Sequence, residues 1–302
     1  MRVRGRRLRD PGRPRPAGAM EWDTGSVLVP SRISDIPRLV VSDMDGTLLD
    51  LDGTRVSPRN AAALRRASDA GARVVIATGR PVVWLGPVID AGFAGTAVCM
   101  NGAVTYDIAA GEIISSAPLL PHSMQLFVDA LAGHTDDFAL AVERLGSTVR
   151  DFWAEARYEH PWAAGGHQII DRSALLADPA GKLLVRGTGD SFSLAKAARA
   201  SALDVGVDDQ LSITYSTDDG LIEVAAAGVN KGHALEQLAS RWQIDADDAV
   251  AFGDMPNDLE LLTWAGHGVA MANAHPDVHA VASEIAPHHG EDGVAAVLER
   301  WF

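Results

Sequence analysis

Two aspartates one residue apart, in Asp43-Met44-Asp45-Gly46-Thr47, follow directly on a short apolar run. In extended chain residues i and i+2 point the same way, so the two carboxylates are expected to converge on one spot. Carboxylates that close repel, and both stay ionised only with a cation between them. A hard, oxygen-seeking ion such as Mg2+ suits the pair, and Gly46 lets the chain turn away. A second acidic segment, Gly253-Asp254-Met255-Pro256-Asn257-Asp258, supplies a carboxylate straight off another apolar run, with an amide and a further carboxylate on the next turn. A helix N-cap accounts for one of these acids, not for both. Thr78-Gly79-Arg80-Pro81 joins a hydroxyl, a small residue and a helix start, which together form an anion cradle because unpaired backbone N–H groups point outward there. Lys231, in Val229-Asn230-Lys231-Gly232, sits where a helix begins. An ammonium at the positive end of the helix dipole is unfavourable unless an anion shares the place, which points to phosphate. Taken singly, these segments also read as an acidic turn, a strand-to-helix turn and a solvated surface lysine.

The elements that carry them follow a regular order. Leu39-Val40-Val41 reads as a buried strand ending at Asp43. A helix follows, with Ser57 as N-cap, Pro58 at its first position and Gly71 as its stop. Val74-Val75-Ile76-Ala77 is a second strand, and Pro81 is expected to open a second helix. Thr96-Ala97-Val98-Cys99-Met100 is expected as a third strand, closed by Asn101-Gly102. Strand and helix alternating at this spacing predict an α/β fold, a doubly wound parallel sheet of Rossmann-like form. In such sheets ligands collect at the carboxyl ends of the strands. The rhythm returns late, with a helix face of Leu235, Leu238 and Trp242, a strand Ala249-Val250-Ala251-Phe252, a helix carrying Leu259, Leu262 and Trp264, and a strand Gly268-Val269-Ala270-Met271. Between them the strands Lys182–Arg186, Leu211–Tyr215 and Leu221–Ala225 mix with a helix over Ser191–Ala202, as expected of an inserted α+β cap domain. The expected organisation is an extension over 1–36, core over 37–118, cap over 119–229 and core again over 230–302.

Composition narrows the class. The 302 residues are 47% hydrophobic and 22% charged, enough for two domains with sizeable cores. No apolar run approaches the roughly 18 residues that cross a bilayer, so no membrane is expected. The single cysteine, Cys99, excludes an intrachain disulfide and a cysteine-cluster metal site, in keeping with a reducing, cytoplasmic setting. Residues 1–20 hold seven arginines against Asp10; removing that +6 from the net −14 leaves −20 on the other 282 residues. So acidic a body is a poor generic nucleic-acid binder. The extension has no periodicity and no apolar stretch after its basic start; it reads as a tail without packed structure, or as an early start ahead of Met20, with an arm touching nucleic acid or membrane as the other reading.

In their joint order and spacing the segments resemble the haloacid dehalogenase-like hydrolase superfamily, and above all its Cof-type phosphatases, whose cap is inserted between the second and third motifs. The matching residues are Asp43 to Leu49, Ala77 to Arg80, Asn101-Gly102-Ala103, Gly228 to Gly232, Gly253 to Asp258, Gly268 to Ala274 and Glu291 to Val294. The resemblance runs from Pro37 to Phe302 and leaves only the extension outside it. It implies that Asp43 attacks phosphorus to form an aspartyl-phosphate, and that Asp45 protonates the leaving alcohol and then activates water. It implies that Thr78, Gly79, Lys231 and Asn257 hold the phosphoryl oxygens. Mg2+ would be bound by the Asp43 carboxylate, the Asp45 backbone carbonyl and Asp254, with Asp258 as supporting ligand. The ATPase branch carries Thr in place of Asp45 and the phosphonate-cleaving branch Ala; phosphomutases keep the acid.

The expected function is therefore a Mg2+-dependent phosphatase of small phosphorylated metabolites such as sugar phosphates, a monomer or homodimer with no nucleic-acid partner. The alternatives are a phosphohexomutase and a non-catalytic protein that binds a phosphorylated ligand. The cap is expected to choose the substrate. Glu143, Arg144, Arg150, His160, His167 and Lys182 are its candidate contacts, each equally readable as a solvated surface residue. Trp153, Tyr158 and Trp162 are expected to pack the cap. His288 and His289 have no third partner at metal spacing, and no zinc site is expected.

Overall fold

The run Leu39–Ser42 is buried on both faces, which only the interior of a covered sheet allows. A computed structural model of the chain describes residues 29–33, 35–135, 137–146, 151–159 and 168–302. Its first part comprises β1 (Leu39–Ser42), α1 (Pro58–Asp69), β2 (Arg73–Ala77), α2 (Gly86–Asp90), β3 (Thr96–Cys99), β4 (Val104–Asp107) and β5 (Glu112–Ser116). The middle comprises α3 (Pro121–Leu131), β6 (Phe138–Glu143), β7 (Phe152–Ala154), β8 (Gln168–Ile169), α4 (Arg172–Leu175), β9 (Lys182–Gly187), α5 (Ser191–Asp204), β10 (Leu211–Thr214) and β11 (Leu221–Ala226). The last part comprises α6 (Lys231–Trp242), β12 (Ala249–Gly253), α7 (Leu259–Trp264), β13 (His267–Met271), α8 (Pro276–Val281), β14 (Glu284–Ala286) and α9 (Gly293–Leu298).

The outer parts share one eight-stranded sheet, in the order β14-β13-β12-β1-β2-β3-β4-β5. The six strands from β14 to β3 run parallel. Strand alternation divides its side chains: Val40, Ile76, Phe252 and Met271 face α1 and α9, while Leu39, Val41, Val75 and Ala251 face α6, α7 and α8. The expected all-parallel sheet is corrected at one edge, where β4 and β5 form an antiparallel hairpin. Ile113 and Ile114 are exposed on that edge. Two boundaries also move. The stretch after Pro81 forms a 3-10 turn, Val82–Trp84, before the short α2. The third strand stops at Cys99, because Met100 and Asn101 take left-handed backbone (φ 51° and 55°) that no strand can hold.

The middle part folds as an α+β cap on a second sheet of six strands, in the order β10-β11-β9-β6-β7-β8. One face of this sheet, with Leu140, Val142, Leu183, Val185, Ile222 and Val224, packs under α3 and α5. Phe152 meets the edge of Tyr158, and Trp153 packs on the cap core, as expected of packing aromatics. Arg150, His160, Trp162 and His167 lie outside the described residues.

So does the expected extension as far as residue 28, but residues 29–33 are tied to the core, not free. Val29 N–H donates to Ala282 O and Arg32 N–H to Gly266 O. The Arg32 guanidinium finds Asp247 at 2.6 Å and the carbonyls of Trp264 and Ala265, three acceptors that outweigh the freedom of the short strap.

Asn60 of α1 fixes the loop that leaves β1. It is buried, its Nδ2 donates to Leu48 O at 3.1 Å, and its Oδ1 accepts from Ala295 N–H at 3.0 Å. Replacing it would strand two buried backbone groups. Asn60→Ala is expected to lower stability by about 2–4 kcal/mol in urea unfolding, and a loss under about 1 kcal/mol would refute that role.

Candidate active site

Four strands deliver the expected residues to one end of the core sheet. The chain order reverses between β1 and β12, so a crevice opens at their carboxyl ends. Asp43 follows β1 and Asp254 follows β12, with Ser42 and Phe252 in register beside them. Thr78 follows β2, and the turn Met100–Gly102 follows β3. Asn230 caps α6 by accepting from His233 N–H, which sets Lys231 at the first helical position.

Lys231 is fully buried. Its ammonium lies 2.7 Å from Asp43 Oδ1 and 2.7 Å from Asp258 Oδ1. The helix-dipole mismatch that pointed to phosphate is thus met by the protein's own carboxylates. Asp258 Oδ2 accepts from the backbone N–H groups of Asp254 and Met255, and Thr47 Oγ1 donates to Asp254 Oδ1 at 2.8 Å. Asp43, Asp254 and Asp258 each offer an oxygen, all within 4.8 Å of one another. A Cβ on Gly46 would lie 2.3 Å from Asp254 Oδ2, so only glycine leaves that carboxylate its place.

Three buried carboxylates face one ammonium. Burial, with Asp258 and Asp45 nearby, pushes the Asp43 carboxyl up to about 7 against the pull of Lys231. Burial, with Asp43 and Asp258, likewise raises Asp254 well above the usual carboxylate range. Burial alone would lower Lys231, but the Asp258 and Asp43 carboxylates hold it above its ordinary value. An all-oxygen donor set short of positive charge fits a hard divalent cation such as Mg2+.

Asp45 does not join this cluster. The chain leaves extended geometry at Asp43, so the alternation that would align the two side chains ends there. Its carboxylate instead takes both arms of Arg80, at 2.7 Å and 2.5 Å, and Arg80 also donates to Gly53 O. Thr78 is buried, and its Oγ1 accepts from Arg80 N–H. Asn257 donates from Nδ2 to Asn101 Oδ1 at 3.1 Å, while its own Oδ1 is buried with no hydrogen-bond partner among the described residues.

Two cap candidates reach the site, and neither is a solvated surface residue. Lys182 is buried and donates to Gly79 O at 2.6 Å, with Glu143 Oε2 at 3.3 Å. Sequence reasoning missed their companion Glu223, 3.7 Å from Lys182, whose carboxylate accepts from Asn101 Nδ2. It had a signal: a lone acid inside the apolar strand Leu221–Ala226. Asn273 lies in the matching segment Gly268 to Ala274 without being singled out there, and its Nδ2 donates to Gly46 O and steadies the turn after Asp45. Arg144 belongs to the cap's own fabric, donating to Leu175 O and lying over the Trp153 ring. His288 and His289 stack on each other, and His289 Nδ1 pairs with Leu49 O.

A family model of haloacid dehalogenase-like hydrolases matches residues 40–298. The chain belongs to that family. Relatives of the hydrolase include a 5-amino-6-(5-phospho-D-ribitylamino)uracil phosphatase of Bacillus subtilis, 29% identical over 87% of this chain and 95% of the relative. The HMP-PP phosphatase of Serratia proteamaculans is 29% identical over 88% and 95% respectively. The solved structure of BT1666 from Bacteroides thetaiotaomicron shares the fold, with TM-score 0.71 and 24% identity over 92% of this chain and 99% of that one.

The raised carboxyls yield a test of the metal site. A group whose folded pKa lies above its unfolded value loses stability as pH climbs from the unfolded pKa toward the folded one, here from about 4 to about 7 for Asp43. Mg2+ needs bare carboxylates and displaces those protons. Added Mg2+ is therefore expected to raise Tm more at about pH 8 than at about pH 5, and Asp254→Ala to shrink that rise. An equal shift at both pH values, or an undiminished one in the variant, would exclude the cluster as the binding site.

Proposed function

We propose that this hydrolase is a Mg2+-dependent phosphatase of small phosphorylated metabolites, sugar phosphates or similar, working through an aspartyl-phosphate on Asp43. The observation that carries the reading is the Asp43 carboxylate at the switch point of the sheet, held by a buried lysine and flanked by two further aspartates. Relatives over nearly the whole chain are phosphatases of phosphorylated metabolites, which supports the same reaction class.

The steps follow from the side chains. Lys231 orients the Asp43 carboxylate, whose free oxygen attacks phosphorus as the ester P–O bond breaks. Thr78, Gly79, Lys231 and Asn257 hold the phosphoryl oxygens, where negative charge must be balanced during transfer. Asp45, once its carboxylate leaves Arg80 and takes up a proton from solvent, gives that proton to the departing alkoxide. It then takes a proton from the water that cleaves the acyl-phosphate, which returns Asp43 and releases phosphate. Mg2+, held by the Asp43 carboxylate, the Asp45 backbone carbonyl, Asp254 and Asp258, would neutralise charge on the phosphoryl group.

Phosphate release from a panel of phosphorylated metabolites tests this. Release is expected with Mg2+ and not with EDTA, and Asp43→Asn is expected to cost about 10³-fold or more in kcat. Asp43→Asn turning over like the native protein would overturn the nucleophile. Turnover that needs a bisphosphorylated activator and frees no phosphate would mark a mutase instead.

A further inference from the structure

The cap sheet divides its side chains by the same alternation as the core. Leu140, Val142, Leu183, Val185, Ile222 and Val224 point to the cap helices. Glu143, Lys182 and Glu223 therefore fall on the opposite face, in neighbouring strands, with Glu143 in register with Lys182 and Glu223 with Leu184. All three side chains are at most 6% exposed. Two carboxylates buried with one ammonium are costly to desolvate, and apolar residues would seal the same contact better. Elsewhere the cap meets the core through such residues: Trp84 against Phe152, and Met255 against the cap cluster.

Among the described residues, the hydrogen bonds of the polar cluster to the core go to two segments, the turns after β2 and β3. Lys182 Nζ donates to the Gly79 carbonyl. Glu223 receives Ser216 Oγ at 2.8 Å and the Asn101 amide. A carboxylate that only accepts forces Asn101 to present its NH2 to the cap. Its Oδ1 must then face the other way, where it takes one N–H of Asn257 at 3.1 Å and leaves the second for a ligand. Asn101 cannot swing to relieve this, since its left-handed backbone is anchored by its N–H on Thr78 O. Gly181 seats the neighbouring Met100 so closely that a Cβ there would lie 2.5 Å from Met100 Sδ.

We propose that Glu223 and Lys182 are positioning residues of the phosphate site: Glu223, through Asn101, fixes the amide of Asn257, and Lys182 fixes the peptide of Gly79, so that the cradle is complete only with the cap sheet against the core. The proposal rests on the reading of Gly79 and Asn257 as phosphoryl-holding residues. Neither cap residue touches the reacting atoms. A substrate that admits the cap without letting these two contacts form would be bound and turned over poorly, whatever its fit to the cap.

The test is a double-mutant cycle on the full chain with Mg2+, read by kcat/KM and by calorimetric binding of inorganic phosphate. Asn257→Ala and Glu223→Ala are each expected to weaken phosphate binding and kcat/KM about tenfold, the size of one positioned hydrogen bond. The double variant is expected to be no worse than Asn257→Ala alone, because Glu223 acts only through that amide. Glu223→Gln, which keeps an acceptor oxygen, should recover most of the loss. Losses that multiply in the double variant, or a Glu223→Ala protein that binds phosphate as the native chain does, would overturn the proposal. Should Glu223→Ala not fold, Lys182→Met carries the test. Its loss of phosphate affinity is expected to add to that of Asn257→Ala, and unchanged affinity would remove Lys182 from the mechanism. A native chain that neither releases nor binds phosphate would instead refute the phosphatase reading beneath it.

Discussion

One buried ammonium organises this molecule. Lys231 has no exposed surface, and the two carboxylates it touches come from opposite sides of the switch point, Asp43 after β1 and Asp258 beyond β12. A desolvated lysine is tolerable only with such partners, so the start of α6 and the ends of both strands must be placed together or not at all. The rest of the site hangs on that placement. Asp258 orders the backbone of Asp254 and Met255, Asp254 takes Thr47, and the glycine turn after Asp43 closes against Asp254. Attraction and repulsion are deliberately unequal here. One cation among three acids leaves a deficit of positive charge that a divalent ion would offset.

The way the chain reaches that geometry explains which parts were readable beforehand. Buried parallel strands are near-continuous apolar runs, so β1, β2, β3 and β12 stood out, and their carboxyl ends named Asp43, Thr78, Asn101 and Asp254. Their joint order was specific enough to name the family. Other facts depend on where a side chain points after the strand ends. Asp45 was expected beside Asp43 by strand alternation, yet the strand is over by then and Arg80 collects its carboxylate. The hairpin β4–β5 left little signal, because an antiparallel edge exposed to water does not announce itself as an apolar run. Glu143 and Lys182 were ambiguous, and Glu223 was passed over, for a related reason. A charged residue in a strand looks the same in sequence whether it meets solvent or another domain, and only the register of the cap sheet shows that the three share a face.

The two sheets divide the labour of recognition in a way their topology imposes. The core sheet can gather side chains only at its carboxyl ends, which serves a small, fixed group such as a phosphoryl. The cap sheet presents a whole face, and that face carries both apolar residues and the buried charged row. The strand-end residues and the buried charged row therefore come from separate stretches of chain. The contacts of Lys182 with Gly79 and of Glu223 with Asn101 are where the two are joined.

The strap at residues 29–33 gives the molecule a polarity of its own. It runs past Gly266 and Ala282, at the amino-terminal ends of β13 and β14, whereas the aspartates stand at the carboxyl ends of the neighbouring strands. A strand of five residues at about 3.3 Å each separates the two ends by roughly 15 Å of packed sheet. The strap therefore meets the core on the side of the sheet opposite the aspartates.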